Sequence, residues 1–268
     1  MKLETHAWPQ TYGERAKPRM GFFTDTSVCI GCKACEVACK EWNHTPVDIR
    51  YLARSYDYTG ELDANNWRHV AFVEQARDGE VRWLMNSDVC KHCTSAACLD
   101  VCPTGALFRT EFGSVVVQED VCNGCGYCVP ACPFGVIERR PDDGRAFKCT
   151  LCYDRQRSGL EPACAMACPT RSIQFGPVDE LLERAHERVE ELHRQGVGEA
   201  RLYGADRDDG VDGFGAFFLL LDEPSVYGLP ERPRTPVKDL PGTWAVAAAS
   251  AAGLALAVLG AVLGGRRR

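Results

Sequence analysis

At 268 residues, 45% hydrophobic and 25% charged, the chain has the composition of a folded protein with room for one large or two modest domains. Its net charge of -6, with lysines and arginines scattered among the acids, excludes the clustered basic face of a nucleic-acid binder. Its 16 cysteines, about 6% of the chain, fall below the roughly 8–10% of short secreted disulfide scaffolds, and the chain is too long to need such staples. The first twenty residues, MKLETHAWPQTYGERAKPRM, contain neither an apolar h-region nor an adjacent arginine pair, so no secretory signal is expected there. GFFT (21–24) is β-prone and leads into a first cysteine motif, CIGCKACEVACK (29–40). Residues 45–83 carry no cysteine and read as an insertion with strands. After the second motif (90–102) come the β-prone runs ALFR (106–109) and VVV (115–117). GVI (135–137) and SIQF (172–175), after the third and fourth motifs, look similar.

PVDE (177–180) opens an amphipathic helix with the stripe Leu181, Leu182, Ala185, Val189 and Leu192, and Gly196 is its expected stop. That helix is expected to brace the fold, and the proline-rich YGLPERPRTPVKDLPG (227–242) to be an extended linker. Residues 244–263 form an uncharged run whose only hydroxyl side chain is Ser250. Such a run spans roughly 30 Å, the thickness of a bilayer core. Trp244 suits one interface and Arg266, Arg267 and Arg268 the other, so a membrane helix is expected rather than an alanine-rich core helix.

The cysteines fall into four motifs with none left over: Cys29, Cys32, Cys35, Cys39; Cys90, Cys93, Cys98, Cys102; Cys122, Cys125, Cys128, Cys132; and Cys149, Cys152, Cys164, Cys168. Each begins CxxC and ends CxxxC, an internal repeat whose unit is the motif itself. CNGCGYCVPACP (122–133) has the ferredoxin spacing CxxCxxCxxxCP, in which three thiolates grip one 4Fe-4S cluster and the fourth ligates the other cluster of a pair. Gly124 and Gly126 suit its tight loop. Pro133 turns the chain away after Cys132. Zinc is the alternative for repeated CxxC pairs. Two features oppose it: the third cysteine of each triplet, and the prolines that follow Cys102, Cys132 and Cys168.

Sixteen cysteines make four 4Fe-4S clusters with no vacancy. If motifs two and three pair, cluster C takes Cys90, Cys93, Cys98 and Cys132, and cluster D takes Cys122, Cys125, Cys128 and Cys102. Motifs one and four then supply cluster A (Cys29, Cys32, Cys35, Cys168) and cluster B (Cys149, Cys152, Cys164, Cys39). Spacing alone equally permits sequential pairing of one with two and three with four. Lys33, Lys40, Lys91, Lys148, Arg155 and Arg171 lie in or beside the motifs, where they either offset cluster charge or are simply solvated. His92 is expected beside a cluster or at the surface rather than as a ligand.

These motifs resemble the iron–sulfur (β) subunit of membrane-bound, N-type formate dehydrogenase. CIGCKACEVACKEWN (29–43), NGCGYCVPACPFGV (123–136) and KCTLCYDRQRSGLEPACAMACP (148–169) look like that family's segments, as does YGLP (227–230) before a C-terminal helix. CPTRSI (168–173) departs from the commoner CPTGAI. The cysteine pattern alone is shared by iron–sulfur subunits of many molybdopterin oxidoreductases. The resemblance implies an α+β fold of two bacterial-ferredoxin-like dicluster subdomains, one nested in the other, and with it the nested pairing. The outer domain would span 20–88 and 146–177, the inner 89–145, followed by helix and linker (178–243) and a transmembrane helix (244–264). It also implies the partners: a molybdenum- or tungsten-pterin subunit that oxidises formate, and a membrane cytochrome b that reduces quinone.

No phosphate loop, nucleophile motif or pterin signature is present, so no catalytic site is expected in the chain itself. Three basic residues precede the apolar run (Arg232, Arg234, Lys238) and three follow it. The trailing three are contiguous, which favours a cytoplasmic C-terminus and an outward-facing cluster domain. Without its own signal, that domain would be exported with a signal-bearing partner. Gly253, Ala257, Gly260, Ala261 and Gly264 give the helix a small-residue face suited to partner helices. The alternatives are the same role in another molybdopterin oxidoreductase or a hydrogenase, and a zinc-stabilised, membrane-anchored interaction protein.

Overall fold

Short apolar runs and cysteine loops alternate along the chain, and the fold follows that alternation. The computed structural model describes residues 8–47, 56–57, 59–77 and 79–265. Helix α1 (Trp8–Tyr12) is tied down by the Tyr12 hydroxyl, which donates to the carbonyl of Arg109 at 2.8 Å. β1 (Met20–Asp25) buries Phe22 and Phe23 completely, and α2 (Ala34–Asn43) carries the second half of the first motif. β2 (Arg68–Arg77) and β3 (Glu80–Val89) form a ten-residue hairpin, so the expected strands of the insertion are present and β3 runs on to the second motif. Parts of that insertion lie outside the described residues.

The second and third motifs then build alike. α3 (Ala97–Asp100) precedes the hairpin β4 (Leu107–Arg109) and β5 (Val115–Val117). α4 (Cys128–Ala131) precedes β6 (Glu138–Arg139) and β7 (Ala146–Phe147). Leu107, Val115, Ile137, Ala146 and Cys128 share one small core. The fourth motif supplies α5 (Tyr153–Arg157) and α6 (Ala163–Met166), and β8 (Ile173–Pro177) follows.

The main sheet has a further half that local pattern does not announce. After α7 (Val178–Arg194) come β9 (Arg201–Tyr203) and β10 (Ala216–Leu220), and the strand order is β8-β1-β10-β9. β1 runs antiparallel to β8 and parallel to β10, with Phe23 opposite both Gln174 and Phe217. Every residue of β10 is buried, and Phe23 stacks on Phe217 at 5.5 Å. A strand buried on both faces shows no alternation, so its run reads ambiguously. The segment 178–243 is therefore more than a helix and a linker. α7 itself braces as expected: Leu181, Ala185 and Leu192 are buried, Leu182 and Val189 partly so, and it packs on β1 and β8.

Two local expectations change. Residues 135–137 are loop, with β6 starting one residue later; Val136 and Ile137 are buried by packing, not by strand pairing. Residues 227–239 are docked, not free: the Tyr203 hydroxyl donates to the Pro230 carbonyl at 2.6 Å and Thr235 N–H to Gly210 at 3.1 Å. The strap ends in a 3-10 turn (Pro236–Asp239) packed against α3, and α8 (Leu240–Gly265) follows directly. The apolar stretch Leu240–Leu263 has a mean hydropathy of 2.3, with no part of it buried in the chain. At 24 residues it is about 36 Å long, enough to cross a bilayer. Arg266, Arg267 and Arg268 lie outside the described residues.

Candidate metal centre

All sixteen cysteines are free thiols. In every motif the residue before the second cysteine has a left-handed backbone: Gly31 at φ +64°, His92 at +44°, Gly124 at +72° and Leu151 at +57°. Left-handed residues inside a turn swing successive N–H groups to one side, making the anion-cradling nest typical of iron–sulfur sites. Space enforces the glycines. A Cβ on Gly31 would lie 2.6 Å from the Phe72 ring, and one on Gly124 2.6 Å from the Gly144 carbonyl oxygen. His92 and Leu151 adopt the same conformation with side chains, at a cost of about 1–2 kcal/mol each, and both are held by burial.

Tertiary structure brings the motifs together in a definite way. β1 beside β8 joins motif one to motif four, with Asp25 and Ser172 exchanging backbone and side-chain hydrogen bonds at 2.8 and 2.7 Å. Asp25 also caps the turn that feeds Cys29 by accepting from the Ser27 amide at 2.9 Å. One cavity is lined by Cys29, Cys32, Cys35 and Cys168, and another by Cys90, Cys93, Cys98 and Cys132. Among thiol–thiol interactions, Cys39 feels Cys164, Cys149 and Cys152; Cys128 feels Cys122, Cys125 and Cys102. Each of these four groups, here sets A, C, B and D in turn, draws three thiols from one motif and its fourth from another.

Electrostatic interactions between sets run in one line. Cys35 of set A feels Cys164 of set B, Cys149 of B feels Cys90 of C, and Cys98 of C feels Cys128 of D. All four set-B cysteines are buried, whereas Cys32 of set A and Cys125 of set D are exposed. The line has a sheltered middle and two accessible ends.

The donor chemistry fits a cationic cluster. Burial pushes the Cys35, Cys98 and Cys149 thiols up to about 12, and neighbouring thiols add to the shift. Burial likewise lifts Cys128 and Cys152 to about 11. Binding a cationic centre there would release the thiol protons and hold the sulfurs as thiolates. At Cys102 burial is the largest single influence and raises the pKa, but hydrogen bonds from Leu107, Thr104 and Ala106 together outweigh it, and the net shift is downward. Donors already address several sulfurs: Leu151 N–H to Cys149 at 3.3 Å, Ala146 N–H to Cys122 at 3.5 Å and Arg68 to Cys164 at 3.3 Å.

The basic residues picked out beside the motifs have different fates. Lys148 is 2% exposed and Lys91 fully buried, Lys91 bonded to Asp88. Lys33 is held by Glu36 at 3.0 Å and Asp57 at 3.6 Å. Lys40 donates to the Pro46 and Asn65 carbonyls, both at 3.1 Å. Arg155 is buried over the Trp42 ring at 4.2 Å, while Arg171 is 73% exposed. Arg68, Arg109 and Ser87, which no motif flags, also reach the site. Ser87 Oγ lies 3.3 Å from Cys35, and Arg109 donates to the Cys93 carbonyl at 2.6 Å. His92 is buried, not at the surface. Its Nδ1 accepts from Val115 N–H at 3.1 Å, while Nε2 is buried without a hydrogen-bond partner.

Two family models, each described as a 4Fe-4S dicluster domain, match residues 28–106 and 81–178. The iron-sulfur subunit of nitrate-inducible formate dehydrogenase from Escherichia coli K12 is 40% identical over 222 residues, covering 81% of this chain and 74% of that subunit. The formate dehydrogenase iron-sulfur subunit of Haemophilus influenzae is 42% identical over 244 residues, covering 87% and 76%. The chain belongs to the iron–sulfur subunits of formate dehydrogenases. It is thus an electron-transfer iron–sulfur subunit built from two 4Fe-4S dicluster ferredoxin-like domains in a mixed α/β fold, with one C-terminal apolar helix of membrane-span length. The B subunit of anaerobic dimethyl sulfoxide reductase from Escherichia coli K12 is 41% identical over 167 residues, 61% of this chain and 76% of that subunit.

Proposed function

We propose that this chain is a non-catalytic wire of anaerobic respiration. It carries electrons through four 4Fe-4S clusters from a formate-oxidising molybdopterin subunit to a membrane cytochrome b that reduces quinone. The observation that carries the reading is the single line of four thiol sets, fully buried at set B, partly so at set C, and exposed at Cys32 and Cys125. Each cluster, when bound, stores and releases one electron. The ligand assignment we propose is the nested one: set A is Cys29, Cys32, Cys35 and Cys168, and set B is Cys149, Cys152, Cys164 and Cys39. Set C is Cys90, Cys93, Cys98 and Cys132, and set D is Cys122, Cys125, Cys128 and Cys102. The β1–β8 pairing and the shared core of motifs two and three support it.

Polarity is read from the surroundings. α3 carries Cys98, leads to Cys102, and packs against the turn that starts α8, so sets C and D lie towards the membrane. Set A has an apolar rim, with Ile30 60% exposed and Tyr56 edge-on to Trp83 at 5.7 Å between ring centroids; we assign it to the catalytic subunit. At the other end Tyr127, 62% exposed, flanks set D and would meet the cytochrome. α8 anchors the chain in a single pass. Arg266 to Arg268 favour a cytoplasmic C-terminus and an outward cluster domain, exported with its catalytic partner.

A second reading, the same wire serving another molybdopterin oxidoreductase, draws on the dimethyl sulfoxide reductase likeness, which covers less of the chain. The test is formate-dependent bleaching of visible iron–sulfur absorption, done anaerobically on the complex purified through this chain. Prompt bleaching is expected. Bleaching by dithionite but not formate, with an active catalytic partner present, would replace the donor. A colourless anaerobic preparation would end the cluster reading.

A further inference from the structure

Two buried cations sit at two of the three junctions of the line, and neither has a carboxylate partner among the described residues. Arg68, on β2 and 2% exposed, donates to Cys164 Sγ of set B at 3.3 Å and to the Ser87 carbonyl at 3.0 Å. Ser87 Oγ in turn touches Cys35 of set A. Arg68 therefore spans A and B. Lys148 donates to the carbonyls of Val115 and Cys149, and its strongest thiol interactions are with Cys90 and Cys98 of set C, then Cys149 of set B. Lys148 spans B and C.

Most other cations near the sets are locally cancelled or at the surface; exceptions include Arg109, partly buried and bonded to the Cys93 and Thr94 carbonyls beside set C, and Arg155, buried and bonded to the Glu161 carbonyl. Lys33 has Glu36 and Asp57, and Lys91 has Asp88. Around set D, Arg145 is paired with Asp143, and Arg139 is exposed. Reducing a cluster adds a negative charge. A fixed positive charge stabilises that state most where water and carboxylates do not screen it. Between two centres it acts on both.

We infer that Arg68 and Lys148 are redox-positioning residues, each raising the reduction potentials of the two clusters it separates, A with B and B with C, while D lacks such a charge. This rests on the four-cluster reading but not on the identity of the donor.

The experiment is a dye-mediated redox titration, followed by electron paramagnetic resonance, of the complex purified through this chain. Iron content and spin count are measured for every variant. Lys148→Met and Lys148→Gln should each lower two of the four midpoint potentials by a tenfold or greater change in the reduction equilibrium, about 59 mV for a one-electron couple. Arg68→Gln should lower two as well, one of them shared with the Lys148 variants. Across the series one cluster then responds to both sites, two respond to one site each, and one to neither. Lys148→Arg should retain the wild-type potentials, and Arg171→Gln, neutralising an exposed cation beside set A, should move none. Should Lys148→Met lose a cluster, Lys148→Gln, which keeps a donor for the carbonyls, decides. Unchanged potentials, a uniform shift of all four, or cluster loss in both neutral variants would overturn the assignment. Failure of formate to reduce the complex would leave it standing.

Discussion

Gly124→Ala should remove one cluster and leave the rest of the molecule folded. Gly124 has φ +72°, and an added Cβ would lie 2.6 Å from the Gly144 carbonyl oxygen and 3.3 Å from its carbon. The obstacle is backbone, in a turn tied by the Gly144 amide to the Arg140 carbonyl at 2.6 Å, so no side chain can rotate away. The left-handed conformation costs an alanine about 1–2 kcal/mol. Overpacking against a fixed neighbour adds about 1–3 kcal/mol. The loop bearing Cys122, Cys125 and Cys128 must therefore shift to relieve about 2–5 kcal/mol, and three thiolates lose their common geometry. Gly159→Ala is the control, because its φ of +71° is nearly the same but open space surrounds it. The assay is iron per chain with resonance spectra of the reduced complex. We expect Gly124→Ala to lose a quarter of the iron and one cluster signal, and Gly159→Ala to lose neither. Equal iron and equal thermal midpoints in the two variants would refute the steric argument.

Other consequences are as direct. Under nested pairing Cys98→Ser and Cys132→Ser perturb the same cluster signal; under sequential pairing they perturb two different ones, so superposing the two variants' spectra decides. Arg188→Ala strands the buried Asp25 carboxylate, to which Arg188 Nε donates at 3.0 Å, and loosens the turn that feeds Cys29. The pair is partly exposed on the arginine side, so the expected loss is about 1–3 kcal/mol in denaturant titration, with the set-A signal the most labile. A stop codon after Asp239 removes α8 and should move the chain from the membrane pellet to the soluble fraction with its iron content unchanged; retention in the pellet would show that a partner, not α8, holds it there.

Features set by near neighbours in the sequence were legible in it. Cysteine spacing is local geometry, and so are the strand-length runs of β1, β4, β5 and β8, the stripe of α7 and the apolar run of α8. β10 escaped because Ala216 to Leu220 is buried on both faces and so has no period, and it lies in a segment whose prolines and glycines suggest only a tether. Arg68 and Ser87 escaped for a different reason: they lie in the insertion, and only the β2–β3 hairpin carries them to Cys164 and Cys35.

Charge beside the clusters was the least legible property, and two lysines show why. Lys33 and Lys148 each adjoin a cysteine, Cys32 and Cys149, and by sequence they are equivalent. Folding brings Asp57 and Glu36 onto Lys33 and cancels it. It brings no carboxylate within ion-pair distance of Lys148 among the described residues, and sets it against Cys90 and Cys98 from a motif far earlier in the chain. Adjacency in sequence specifies which atom binds iron, because ligand reach is a few bonds long. Electrostatic influence extends for many ångströms through a poorly screening interior, so its sign at a cluster is a sum over neighbours that only the folded chain assembles.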